Sequence, residues 1–282
     1  MGKEMIPHLD KFLSYQQNRA HSNHTLKAYR ADLGLFWASC PVKAPGDCKR
    51  SHVASFLTGL QSLGLKPGSV RRKVAAISTY FVAMIYSDVC ENNPCIGVMR
   101  PKSPRRLPKP FTRDEIKSML NEKIAINKRL KRAHMLAHFF YGTGARLAEV
   151  ASITAAMVKP GVNSISIIGK GNKERMLILN PQLLDRLTQW CGDNPTTDGN
   201  IWGASAATIR SDIKLLGKKA CVYNVYPHRL RHSFATHLCD AGVDIEVVQQ
   251  LMGHASISTT QGYTAVSTQK LHDAINKFRL EA

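Results

Sequence analysis

A chain of 282 residues with 39 lysines and arginines against 20 aspartates and glutamates carries a formal charge of +19. That length supports one large or two ordinary domains, and that charge points to a polyanionic partner, nucleic acid first. Seven cysteines without a C-x-x-C pair argue against a disulfide framework or a zinc knuckle and read as reduced, mostly buried thiols. No stretch reaches the roughly 18 apolar residues of a membrane span, and the first residues lack the apolar core of a secretion signal, so a soluble cytoplasmic protein is expected.

Along the chain, Leu26, Tyr29, Leu33 and Phe36 recur at helical intervals and leave Lys27 and Arg30 on other faces. A second helix is expected from Ser69 to about Tyr86, with Val70, Val74, Ile77 and Phe81 inward. Arg71, Arg72 and Lys73 crowd its first turn, where cations oppose the helix dipole unless an anion lies nearby. A phosphate is one such anion; a solvated charged face is the alternative. The segment from Val98 to Pro110 holds four prolines in thirteen residues and cannot continue a helix, so it reads as a basic linker. Arg105 and Arg106 in it suit a strand that crosses a duplex. Twelve lysines and arginines against three acidic residues lie between Arg100 and Arg132.

Thr112 with Glu115 forms a capping box that opens a second domain, and helical patterns run on through Phe140. Ile165, Ile167 and Ile168, then Met176 to Leu179, flank Gly171 and Asn172 as an antiparallel hairpin with Lys170 at its tip. Helices return from Pro181. Pro227 suits a first turn, followed by Leu230, Phe234, Leu238 and Ala241 as a buried stripe that Gly242 ends. At 100° per residue His228 and Arg231 lie about 60° apart and can face one ligand. Asp244 is an N-cap, Ile245, Val248 and Met252 give the next helix a core face, and Gly253 is its C-cap. Ser258 with Gln261 fits a capping box before Tyr263, and Gly262 weakens that short helix. A tail stripe of Leu271, Ile275 and Phe278 closes the chain.

Three motifs then stand in order: Gly142 to Glu149 (GTGARLAE), Gly169 to Arg175 (GKGNKER), and H-x-x-R at His228 and Arg231 followed by G-H and a tyrosine nine residues after His254. This set resembles the tyrosine recombinase, or phage integrase, family, most closely its Xer-type recombinases and transposon resolvases. The first hundred residues match less sharply, through T-L-x-x-Y-x-x-D-L at Thr25 to Leu33. The expected fold is mainly α: a helical, SAM-like core-binding domain over 1–98, a linker over 99–110, and a mostly helical catalytic domain with a small hairpin over 111–282.

Attack on a phosphodiester needs a nucleophile, cations on the non-bridging oxygens and a proton for the leaving sugar oxygen. Arg146 and Arg231 can clamp phosphate bidentately, Tyr263 is the candidate nucleophile, His228 the base, Lys170 the acid and His254 a hydrogen-bond donor. The resemblance implies that these six are the family's active-site positions. It also implies a 3′-phosphotyrosyl intermediate, no cofactor and no metal. Strand exchange would pass through a Holliday junction in a homotetramer on duplex DNA, each tail helix being lent to a neighbour. Lys27, Arg30, Arg71, Arg72, Lys73, Arg105 and Arg106 are candidate DNA contacts. Dimer resolution, cointegrate resolution and integration of a mobile element all remain open as roles, as does an accessory recombinase or regulatory protein.

Rival readings are a metal-dependent nuclease, a DNA-binding regulator without chemistry and a type IB topoisomerase. The nuclease is motivated by eleven histidines and the i,i+4 pairs His134 with His138 and His228 with His232, but neither pair has a carboxylate cluster nearby in sequence. Arg146 beside Glu149 also reads as an ordinary helical ion pair, and His228, His232 and His237 as satisfied core or surface histidines.

Overall fold

In a computed structural model of the protein, which describes residues 6–19, 23–99, 101, 109–169, 174–196, 199–253 and 268–278, the chain divides into two compact units, Met1–Arg106 and Leu107–Ala282. The first unit is helical: α1 (Leu9–Asn18), α2 (Asn23–Ser39), α3 (Arg50–Ser62) and α4 (Pro67–Tyr86). Pro67 occupies the first turn of α4, where its missing N–H costs nothing. The other three helices pack on α4. Val70, Val74, Ile77 and Phe81 are fully buried there as the periodicity predicts, against Leu33 and Phe36 of α2.

The basic first turn of α4 departs from expectation. Lys73 is only 6% exposed, and its Nζ lies 2.7 Å from Asp32 Oδ1. Arg72 grips the same carboxylate through both terminal nitrogens, Nη2 at 3.0 Å from Oδ1. Asp32 of α2, forty residues before Arg72, is an anion that offsets this turn from within the protein. Arg71, like Lys27 and Arg30, is exposed. The linker arginines 105 and 106 lie outside the described residues. Of the seven thiols, Cys40, Cys48 and Cys95 are buried, Cys90 and Cys191 half-buried, and Cys221 and Cys239 exposed, so "mostly buried" holds for fewer than expected.

The second unit holds α5 (Arg113–Met119), α6 (Lys128–Thr143), α7 (Leu147–Ala151), strands β1 (Ser164–Ile168) and β2 (Glu174–Ile178), then α8 (Pro181–Asp193), α9 (Ala206–Lys219), α10 (Pro227–Asp240), α11 (Ile245–Met252) and α12 (Thr268–Lys277). The chain is thus mainly α, with one small antiparallel sheet among the described residues. Its register pairs Ser164 with Ile178 and Ile168 with Glu174, and puts Ile165, Ile167 and Leu177 inward. The tip bearing Lys170 lies outside the described residues.

Local signals explain most boundaries. Thr112 Oγ1 accepts from the Glu115 N–H at 3.1 Å while the Glu115 carboxylate accepts from the Thr112 N–H at 2.8 Å, closing the capping box that starts α5. Asp244 caps α11, and Gly253 ends it in the left-handed region. Helix α6 is the hub, packing on α8, α9 and α10. Leu230, Phe234 and Leu238 of α10 are fully buried against it, but Ala241 is exposed because α10 has ended there. Ile245 is 56% exposed; Val247 and Leu251 join Val248 and Met252 in the core instead, a stripe displaced because Ile245 sits in the capped first turn. Helix α12 packs on α11 and β2 of its own chain, with the Phe278 ring 5.2 Å from Tyr141 and 5.4 Å from Phe234.

Candidate active site

A cavity with a volume near 790 Å³ is lined by Arg146, Leu147, Arg210, Tyr226, Pro227, His228, Arg231, His232 and Met252. Three chain segments supply its cations. Arg146 stands at the N-cap position of α7, immediately after the turn that ends α6. That turn needs Gly144: its φ is +62°, and an added Cβ would lie 2.5 Å from the Phe234 ring. His228 and Arg231 project from the first turns of α10, one helical step apart, as their spacing predicts.

Arg146 is held, not merely present. Its Nη1 donates to Glu149 Oε1 at 2.9 Å, its Nη2 to the Gly253 carbonyl at 2.8 Å, and its backbone N–H to Glu149 Oε2 at 2.6 Å. Glu149, 4% exposed, is shared with Arg175 of β2, which donates from Nη2 at 2.7 Å and Nε at 3.1 Å and reaches the Leu251 carbonyl at 2.8 Å. One buried carboxylate therefore ties α7, the hairpin and the end of α11 together. These arginines hold its carboxyl below the usual carboxylate range despite burial, which pushes the other way.

Arg231 is 3% exposed and donates to the carbonyls of Gly144 and Met252. Burial, then the neighbouring Arg146 and Arg175, lowers its pKa to about 10, which leaves it charged at neutral pH. His228 is exposed at the rim; partial burial and then the Arg231 charge lower its pKa, so its imidazole is neutral at pH 7 and able to accept a proton. His237 faces away: buried, with Nδ1 2.8 Å from the Tyr141 hydroxyl, it is a satisfied core histidine.

Of the six residues assigned to catalysis, Arg146, His228 and Arg231 are brought to one cavity, while Lys170, His254 and Tyr263 lie outside the described residues. The ion pair expected between Arg146 and Glu149 is present, but sequence reasoning gave no role to Arg175 or Arg210 and did not foresee that Glu149 is shared. Arg175 lies within the GKGNKER motif, so a signal for it existed; Arg210 has none, arriving from the exposed face of α9.

The phage integrase family matches residues 109–270, and its N-terminal SAM-like domain matches residues 9–86. The chain belongs to the phage integrase family. It is a tyrosine recombinase, an enzyme of site-specific DNA strand transfer. Tyrosine recombinase XerC of Pseudomonas syringae pv. syringae (strain B728a) is 31% identical over 282 residues, which span 95% of this chain and 94% of that protein. The XerC of Xylella fastidiosa (strain 9a5c) is 32% identical over 279 residues, covering 94% and 95%. The fold is that of the Tn1549 transposon integrase in complex with circular intermediate DNA (TM-score 0.70, 19% identity, 94% and 97% covered). It is also that of a lambda integrase dimer bound to a core site (TM-score 0.70, 16% identity, 92% and 98% covered). No helix among the described residues is long and apolar enough to cross a membrane.

Among the described residues two separate groups each bring their metal-ligating atoms within 4.8 Å of one another: Cys40, Cys48 and His52 in the first unit, and Glu122, His134 and His138 in the second. In the first, burial and then the neighbouring Cys40, Cys95 and Cys90 push the Cys48 thiol up to about 12. Neither group lines the arginine cavity.

Proposed function

We propose that this recombinase cleaves duplex DNA by attack of Tyr263 on a phosphodiester held in the Arg146, His228 and Arg231 cavity, leaving a 3′-phosphotyrosyl bond and a free 5′-hydroxyl. The observation that carries the reading is the convergence of two arginines and an imidazole from two chain segments, the start of α7 and the first turns of α10, on one cavity. In it, Arg146 and Arg231 neutralise charge growing on the non-bridging oxygens, with donors already fixed before the phosphate arrives. His228 takes the tyrosine proton, Lys170 protonates the departing 5′ oxygen, and His254 donates to the phosphate. Because the ester is retained on the protein, rejoining to a new partner strand needs neither ATP nor a metal. Residues 1–98 are read as the core-binding domain, 99–110 as a linker crossing the duplex, and 111–282 as the catalytic domain. Among the candidate contacts of the first unit, Lys27, Arg30 and Arg71 are exposed and carry no ion pair to Asp32, and are read as contacts to backbone phosphates.

Exchange through a Holliday junction by four protomers, with α12 leaving its own groove for that of a neighbour, extends this reading. The apolar stripe of α12 supports it: Leu271, Ile275 and Phe278 are buried on a surface that any copy of the chain also presents. Resolution of replicon dimers or movement of a mobile element would both use such an exchange. The test incubates the protein, in EDTA, with nicked duplexes selected for binding from a randomised pool. Wild type forms a covalent adduct on a denaturing gel and Tyr263→Phe does not; cleavage that leaves no adduct and is abolished by EDTA would instead favour a nuclease.

A further inference from the structure

The pair His134 and His138, four residues apart on α6, has no part in the phosphate cavity. Both are buried, 5% and 3% exposed, in a T-shaped contact with ring centroids 4.6 Å apart. His134 Nε2 and both nitrogens of His138 have no hydrogen-bond partner among the described residues. Three orphan nitrogens in one spot are costly, since each buried polar atom left unpaired loses the hydrogen bond it would make to water. The fold supplies what the sequence did not show: Glu122, from the short 3-10 turn Glu122–Ile124, places Oε2 3.8 Å from His134 Nδ1. Glu122 and His134 line a cavity near 600 Å³ that also presents Asp193 and leads to solvent.

We propose that Glu122, His134 and His138 form a binding site for a borderline transition-metal cation, zinc first, remote from the arginine cavity. Two imidazoles at i,i+4 on one helix face plus a carboxylate make a three-ligand set that leaves a fourth position for water. The cation would take up orphan lone pairs and tie the 3-10 turn to the hub helix α6. One group opposes it: Arg186 Nη1 sits 2.5 Å from Glu122 Oε1 and competes for that carboxylate. With Arg186 40% and Glu122 62% exposed, that surface pair is weak enough to open.

The test adds zinc, and cobalt(II) as a spectroscopic probe, to the full-length, tag-free protein. One equivalent of metal binds wild type, raises its melting temperature and gives cobalt visible bands without the near-ultraviolet thiolate band that Cys40 and Cys48 would contribute. Affinity falls at least tenfold in His134→Gln and in the exposed-site variant Glu122→Gln, and tightens in Arg186→Gln as the competing cation is removed. DNA cleavage in EDTA is the same in wild type and Glu122→Gln. Absence of stoichiometric uptake by wild type, uptake that survives both substitutions, or a thiolate spectrum would each overturn the site.

Discussion

At the scale of single residues, the active cavity depends on charges that are fixed by other charges. Glu149 is the clearest case, because Arg146 and Arg175 both lean on its buried carboxylate. Glu149→Gln keeps the shape but leaves Arg175 without its partner. We expect a loss of about 3–5 kcal/mol of stability in a denaturant titration, the cost typical of breaking a buried pair from one side. An unchanged midpoint would show that the two arginines are held by the Gly253 and Leu251 carbonyls alone. Asp32, beneath Lys73 and Arg72, should behave alike: Asp32→Ala costs a similar amount, about 3–5 kcal/mol. His228 makes a prediction of opposite character. Its pKa lies below the ordinary 6.5, so as pH falls the basic form persists past that point and is lost only lower down. The acid limb of kcat/KM for cleavage, which reports the free enzyme, therefore falls below pH 6.5; a limb at or above it would remove His228 as the base.

At the scale of elements, the turn between α6 and α7 aims the first arginine, and Gly144 is its pivot. A methyl there meets Phe234 of α10 at 2.5 Å in a backbone conformation that only glycine adopts cheaply. Gly144→Ala should lower cleavage at saturating DNA by tenfold or more while leaving duplex binding within a few-fold, because the clash displaces both Arg146 and the carbonyl that anchors Arg231. Equal activity would mean the turn is not aiming anything. Helix starts and stops were legible in the sequence because capping is local: Thr112 with Glu115, Asp244 and Gly253 act within one turn. Stripes were legible for the same reason, except at ends such as Ala241 and Ile245, where periodicity continues after burial has stopped. What could not be read were partners distant in sequence. Nothing near Lys73 announces Asp32, nothing near Arg146 announces Arg175, and nothing near His134 announces Glu122; such pairs exist only once helices have packed.

At the scale of the whole molecule, a charge of +19 is spent in two ways. Part of it is consumed internally, as at Lys73, Arg72 and Arg175, and part remains at the surface. Binding to duplex DNA should weaken steeply with salt, and Arg71→Gln should flatten the log–log slope by about 1, as loss of one phosphate contact does. Lys73→Gln should leave that slope unchanged and lower stability instead, since its ammonium faces Asp32. If the two variants exchanged these effects, the division between inner and outer cations would be wrong. The central claim concerns a covalent bond, and digestion of the trapped adduct followed by mass spectrometry tests it most directly. The account predicts the DNA fragment on the peptide containing Tyr263, joined through a 3′-phosphate with a free 5′-hydroxyl on the released strand. Attachment to any other residue, or through a 5′-phosphate, would contradict it.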